Sequence, residues 1–324
     1  MATRTKKRAR RAARKPRVAP MRPDELKLFR AAIRQGQNGA VKVLRDRRRF
    51  HGELKGRRAS LMGAGPAQPA GVLIAEGDSW FNYPFCDVLQ ELKHVHGFEV
   101  HSAAHAGDTV ESMAYDLSQY AGLVDKFMEL SEAGTQPSAI LLSGGGNDIA
   151  GSVLTSLLNY KDSPNPGLND AVVTGVFNDR LRPALARLIS TVTALYRAHF
   201  AGTPKIVIHG YDYPVPDGRG YMGGLGPLPG PWLQPQFRSR GYTELATTTG
   251  LMQSLIDRFN DMARSVAAAP GMQNVRYLDL RGTLTNKLQG SAYKKTWANE
   301  LHPTRPGFAD VAQKFSDALA RSGA

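Results

Sequence analysis

The run Val72-Leu73-Ile74-Ala75, followed at once by Gly77-Asp78-Ser79-Trp80, constrains the fold more than any other stretch of the chain. A short apolar run closed by Gly-Asp-Ser reads as a buried strand ending in a sharp turn, with one hydroxyl held at the carboxyl edge of a sheet. From residue 71 onward the pattern repeats. Strand signals fall at 72–76, 98–103, 138–143, 205–209 and 275–280. Helical signals fall near 85–95, 109–132, 174–200, 242–268 and 306–321. Such alternation predicts an α/β domain of three layers, α/β/α, around a five-stranded, mainly parallel sheet. With the flavodoxin-like strand order 2-1-3-4-5, the switch point lies between the first and third strands. Those strands end at Ser79 and near Asn147.

Charge divides the chain unevenly. Residues 1–60 hold 21 Lys and Arg against 4 Asp and Glu, whereas 61–324 hold 21 against 24. The expected organisation is a disordered basic tail over 1–22, a helical basic arm and linker over 23–70, and the α/β domain over 71–324. Leu26, Phe29, Ile33, Val41 and Leu44 give the arm an apolar stripe, and Gly36 and Gly39 are expected to break it into two helices. The arm should attract polyanions nonspecifically and in a salt-dependent way, and should be dispensable for turnover. Its first twenty residues lack aromatic residues for stacking and the apolar segment of a secretory signal. No stretch has the ~18–20 consecutive apolar residues of a membrane span. One cysteine, Cys86, allows no intramolecular disulfide and reads as a packing residue. These features point to a cytoplasmic protein.

Four blocks carry chemistry: Gly77-Asp78-Ser79, Ala106-Gly107-Asp108, Gly145-x-Asn147-Asp148 and His302-Pro303. In this order, over residues 71 to 320, they resemble the SGNH (GDSL-type) hydrolases. The resemblance implies that Ser79 is a nucleophile and His302 its base. It makes the Ser79 and Gly107 N–H groups and the Asn147 amide the oxyanion donors. It requires no cofactor or metal, and the substrate is a small-molecule, lipid or glycan ester. The sequence departs from the family at one place: Asn299 stands where an Asp usually precedes the histidine by three residues. Asn299 and neighbouring Glu300 are equal candidates for the third catalytic position. Asp212, Asp279 or a backbone carbonyl are further options. Because of Asn299, the alternative is a weakly catalytic SGNH-fold binding module with a polyanion-binding arm.

Other features have blander readings. Trp80 and Trp297 either line the acyl pocket or fill the core. His94, His96, His101 and His105 lack an acidic partner at ligand spacing and read as surface or packing residues. Asp148 is expected to cap the next helix. Residues 211–237, rich in Gly and Pro, are expected to form a pocket wall or lid.

Overall fold

The computed structural model describes residues 20–54, 69–223 and 228–320. The expected tail lies outside the described residues through residue 19, and the expected linker does so over 55–68. Five parallel strands, β1 (Val72–Gly77), β2 (Glu99–Ser102), β3 (Ala139–Ser143), β4 (Ile206–His209) and β5 (Val275–Leu278), form one sheet in the order β2-β1-β3-β4-β5. The β1, β3 and β4 strands are wholly buried, as expected of continuous apolar runs covered on both faces.

The helices are α1 (Pro23–Leu54), α2 (Val88–His94), α3 (Val110–Tyr115), α4 (Tyr120–Glu132), α5 (Gly146–Ile149), α6 (Ser152–Ser156), α7 (Asp170–Gly175), α8 (Arg182–Arg197), α9 (Gln234–Ser239), α10 (Leu245–Ala267) and α11 (Arg305–Ala320). Helices α2 and α11 pack on each other, with Phe315 of α11 against His209 of β4, while α3, α4 and α10 gather around α8. The signal over 174–200 resolves into α7, a π-helical turn at Val176–Leu181 and α8. The signal over 109–132 breaks at Asp116, whose carboxylate accepts the Ser118 N–H at 2.9 Å and so competes with the helix.

Segment 23–54 is one helix, contrary to the expected break at Gly36 and Gly39. Phe29, Ala32, Ala40 and Val43 are buried, and the helix lies along α8. Gly36 is there for close approach: a Cβ would lie 2.5 Å from the Arg187 carbonyl oxygen. Thr191 Oγ1 donates to the Gly36 carbonyl and Ser190 Oγ to that of Ile33, each at 3.0 Å. At the N-terminal end, buried Glu25 accepts from Asn178 Nδ2 at 2.8 Å and pairs with Arg182 at 3.0 Å. Of the expected stripe, Phe29 is buried and Leu26, Ile33 and Leu44 are partly so, whereas Val41 faces outward and Ala40 and Val43 pack in its place; removing α1 would expose the face of α8 that it covers. Gly36→Leu is expected to cost about 1–3 kcal/mol through overpacking, read as a lower denaturant midpoint. An unchanged midpoint would show that the two helices can separate freely.

Candidate active site

Every chemistry-bearing block lies at or just beyond the carboxyl end of a strand, or on the chain leading into α11. Gly77 closes β1 opposite Ser143 of β3, where a Cβ would meet the Ser143 carbonyl oxygen at 2.5 Å, so only glycine fits. The turn that follows presents Ser79. Its hydroxyl lies 2.7 Å from His302 Nε2. Asn299 Oδ1 lies 3.0 Å from His302 Nδ1 and accepts the backbone N–H groups of Leu301 and His302, each at 2.9 Å. Those backbone donors orient the amide: its oxygen faces the ring, and its Nδ2 donates to Tyr83 Oη at 3.0 Å. Since an amide oxygen only accepts, Nδ1 carries the proton and Nε2 is free to accept from Ser79. Burial lowers the His302 pKa to about 3, with no neighbouring carboxylate to oppose it.

Glu300 is in a different place. It is fully buried and takes four N–H donors, those of Gly218 (2.9 Å), Trp232 (2.6 Å), Leu233 (2.7 Å) and Gln234 (2.9 Å). It thus ties Gly218 and residues 232–234 together beside the histidine; residues 224–227 of the expected wall or lid lie outside the described residues. Asp212 is committed to the N–H groups of Tyr213, Gly282 and Leu284, and Asp279 to Arg264 and Arg281. Of the acidic or amide candidates for the third position, Asn299 alone bonds the His302 ring among the described residues.

On the other side of Ser79, Gly107 sits in an exposed turn at φ 93°, and Asn147 Nδ2 donates to the Asp108 carbonyl at 2.8 Å. The backbone N–H groups of Ser79 and Gly107 have no partner among the described residues. Asp148 caps a helix, but not the one that follows it. Its carboxylate accepts the Val110 and Glu111 N–H groups at the start of α3, at 2.8 and 3.4 Å. Burial raises its pKa to about 6.

Two aromatic contacts to the imidazole carried no sequence signal. Tyr83 stacks on His302 with ring centroids 4.1 Å apart, and Trp232 meets it edge-on at 5.6 Å. Trp80 and Trp297 satisfy both earlier readings, being buried core residues that also line the cavity beside Ser79. That cavity encloses about 460 Å³ including its opening. Ser79 and Asn147 share it with Ile149, Ala150, Leu233, Met252, Ile256 and Leu301.

A family profile for GDSL-like lipases/acylhydrolases matches residues 67–315. The chain belongs to this family. It is therefore an ester-acting hydrolase of the GDSL type. No curated protein matches it in sequence. Solved structures similar to it include a GDSL-like lipase from Bacteroides thetaiotaomicron (12% identity, 80% of this chain and 93% of that one, TM-score 0.39). An acetylxylan esterase from Geobacillus stearothermophilus, solved as a catalytic mutant, is also similar (15%, 80% and 96%, 0.37). So is an alpha/beta hydrolase from the metagenome of Lake Arreo, Spain (13%, 78% and 96%, 0.40).

Beneath the GDSL turn lies a buried polar chain. His209 Nδ1 is 2.7 Å from the Gly210 carbonyl oxygen, its Nε2 is 2.8 Å from Ser143 Oγ, and Ser143 Oγ is 2.7 Å from Asp78 Oδ1. Tyr211 donates to the other Asp78 oxygen, and the Trp80 N–H donates to Oδ1 at 3.0 Å. The Ser143 hydroxyl thus links the His209 ring to the Asp78 carboxyl, and burial drives the His209 pKa down. Ser143→Ala would leave His209 Nε2 buried without a partner, and is expected to cost about 1–3 kcal/mol in chemical denaturation. No loss would mean that the chain is not formed.

Proposed function

We propose that the protein hydrolyses carboxylic esters through an acyl-enzyme on Ser79. The observation that carries this reading is the alignment of Ser79 Oγ, His302 and Asn299 Oδ1 at 2.7 and 3.0 Å. His302 Nε2 accepts the Ser79 proton as the hydroxyl attacks the acyl carbon. Negative charge then grows on the carbonyl oxygen, where Ser79 N–H, Gly107 N–H and the Asn147 amide serve as donors. One such donor is worth about 2.7–4 kcal/mol of barrier. His302 next protonates the leaving alcohol, and water, deprotonated in turn by His302, releases the acid. Asn299 holds the Nδ1–H tautomer throughout. The aliphatic lining beside Ser79 supports an apolar acyl group, because burying hydrocarbon there gains about 25 cal/mol per Å² whereas a sugar's hydroxyls would lose their water.

A short series of p-nitrophenyl esters tests this reading. Wild-type turnover that falls about 10⁴-fold or more in both Ser79→Ala and His302→Ala is the expected result. Turnover indifferent to Ser79 would overturn it. The pH profile tests the base. With its pKa lowered to about 3, His302 stays neutral at acid pH, so kcat/KM should hold well below pH 6.5. Asn299→Asp places a carboxylate beside the imidazole and favours its charged form. The acid limb should then move to higher pH. A limb that stays in place would show that Asn299 does not govern the base.

A further inference from the structure

Beside the Gly107 turn, the carboxyl edge of β1 holds donor atoms that the serine chemistry does not use. Glu76, just before Gly77, is only 2% exposed. Its Oε1 accepts the Gly77 N–H at 3.0 Å, and Oε2 accepts no hydrogen bond among the described residues. Asp108 Oδ1 accepts from Gln119 Nε2 at 3.3 Å. Its Oδ2 is buried without a hydrogen-bond partner among the described residues, in a side chain only 13% exposed. His105 Nδ1 lies 3.9 Å from that oxygen. One ligand atom from each of the three residues lies within 4.8 Å of the other two. Contrary to the expectation that His105 lacks an acidic partner, Asp108 lies three residues after it in the same turn, and the fold adds Glu76, because the His105 backbone N–H bonds the Gly77 carbonyl at 2.8 Å and draws the turn onto the end of β1.

The Glu76 and Asp108 carboxyl groups are both largely buried and converge on one point, each with an oxygen that accepts no hydrogen bond among the described residues. Such a pair is relieved either by a shared proton or by a cation. A shared proton would leave the imidazole idle, whereas a cation engages all three groups. We propose that Glu76, His105 and Asp108 bind one divalent transition-metal ion, for which Zn²⁺ is the best match. One imidazole with two carboxylates suits Zn²⁺, which accepts three protein ligands and a water, whereas Ca²⁺ demands 6–8 oxygen ligands and Mg²⁺ an octahedral set. Tetrahedral Zn²⁺ with bonds of about 2.0–2.1 Å holds its ligand atoms about 3.3 Å apart, so a trio now within 4.8 Å must close by up to about 1.5 Å. The His105 side chain, 67% exposed, can supply part of that movement. Two of the three ligands bracket Gly107 and the third precedes Gly77. The ion would therefore fasten the turn that carries one oxyanion donor to the strand that carries the nucleophile.

Calorimetric titration of the chelator-stripped full chain with Zn²⁺ tests the site without substrate, so its outcome is independent of the Ser79 chemistry. One site per chain is expected, with affinity reduced about tenfold or more in both His105→Ala and Glu76→Gln. His94→Ala should bind as the wild type does. Thermal unfolding run alongside should show a Zn²⁺-dependent rise in the wild type that His105→Ala, an exposed substitution, abolishes. Absence of Zn²⁺ uptake, or uptake that His105→Ala and Glu76→Gln leave unchanged, would overturn the proposal. In that event the two carboxylates share a proton, or the binding belongs to surface histidines.

Discussion

The arrangement at Ser79 depends on the orientation of one carboxamide. Where an amide replaces the carboxylate of a serine-protease triad, catalysis collapses because the imidazole is held in the wrong tautomer. Asn299 avoids that outcome because the Leu301 and His302 N–H groups, each at 2.9 Å, require an acceptor at that position. They fix Oδ1 toward the ring, and Tyr83 takes the Nδ2 side. The tautomer is thereby secured without charge. What Asn299 cannot do is stabilise an imidazolium, and the buried His302 ring is correspondingly hard to protonate. In the proposed mechanism an imidazolium at His302 would rest against the Tyr83 ring face.

The surroundings hold this geometry by satisfying polar groups in layers. Glu300, adjacent to the hub, collects four N–H groups from a segment that would otherwise bury them without partners. Below Ser79, the Asp78–Ser143–His209 chain links the end of β1 to β3 and β4, so that its buried polar atoms satisfy one another. Helix α1 closes the outer face of α8 through Gly36, and so belongs to the same packed body.

Much of this was legible in the sequence. Five strand positions followed from apolar runs and βα alternation, because buried parallel strands leave few other readings for such runs, and the observed order matches the flavodoxin-like one. Three of the four motif blocks lie at or just beyond strand ends, and the fourth leads into α11. What could not be read depends on contacts distant in sequence. Gly36 looks like a helix breaker until Arg187 is seen 2.5 Å from its absent Cβ. Glu300 and Asn299 were equal candidates because their spacing from His302 differs by one residue, and only the fold shows which carboxyl or amide reaches the ring. Tyr83 and Trp232 bracket the imidazole from loops with no periodicity. His105 acquires its acidic neighbours from β1 and from its own turn.

The central claim is that Ser79 is made nucleophilic by a neutral His302 held through an amide. Reaction with a fluorophosphonate, followed by peptide mass mapping, tests it most directly, because the reagent captures only an activated serine. The account predicts a single adduct on Ser79, formed readily by the wild type and suppressed in His302→Ala. An adduct on another serine, or equal labelling of Ser79 without His302, would contradict it.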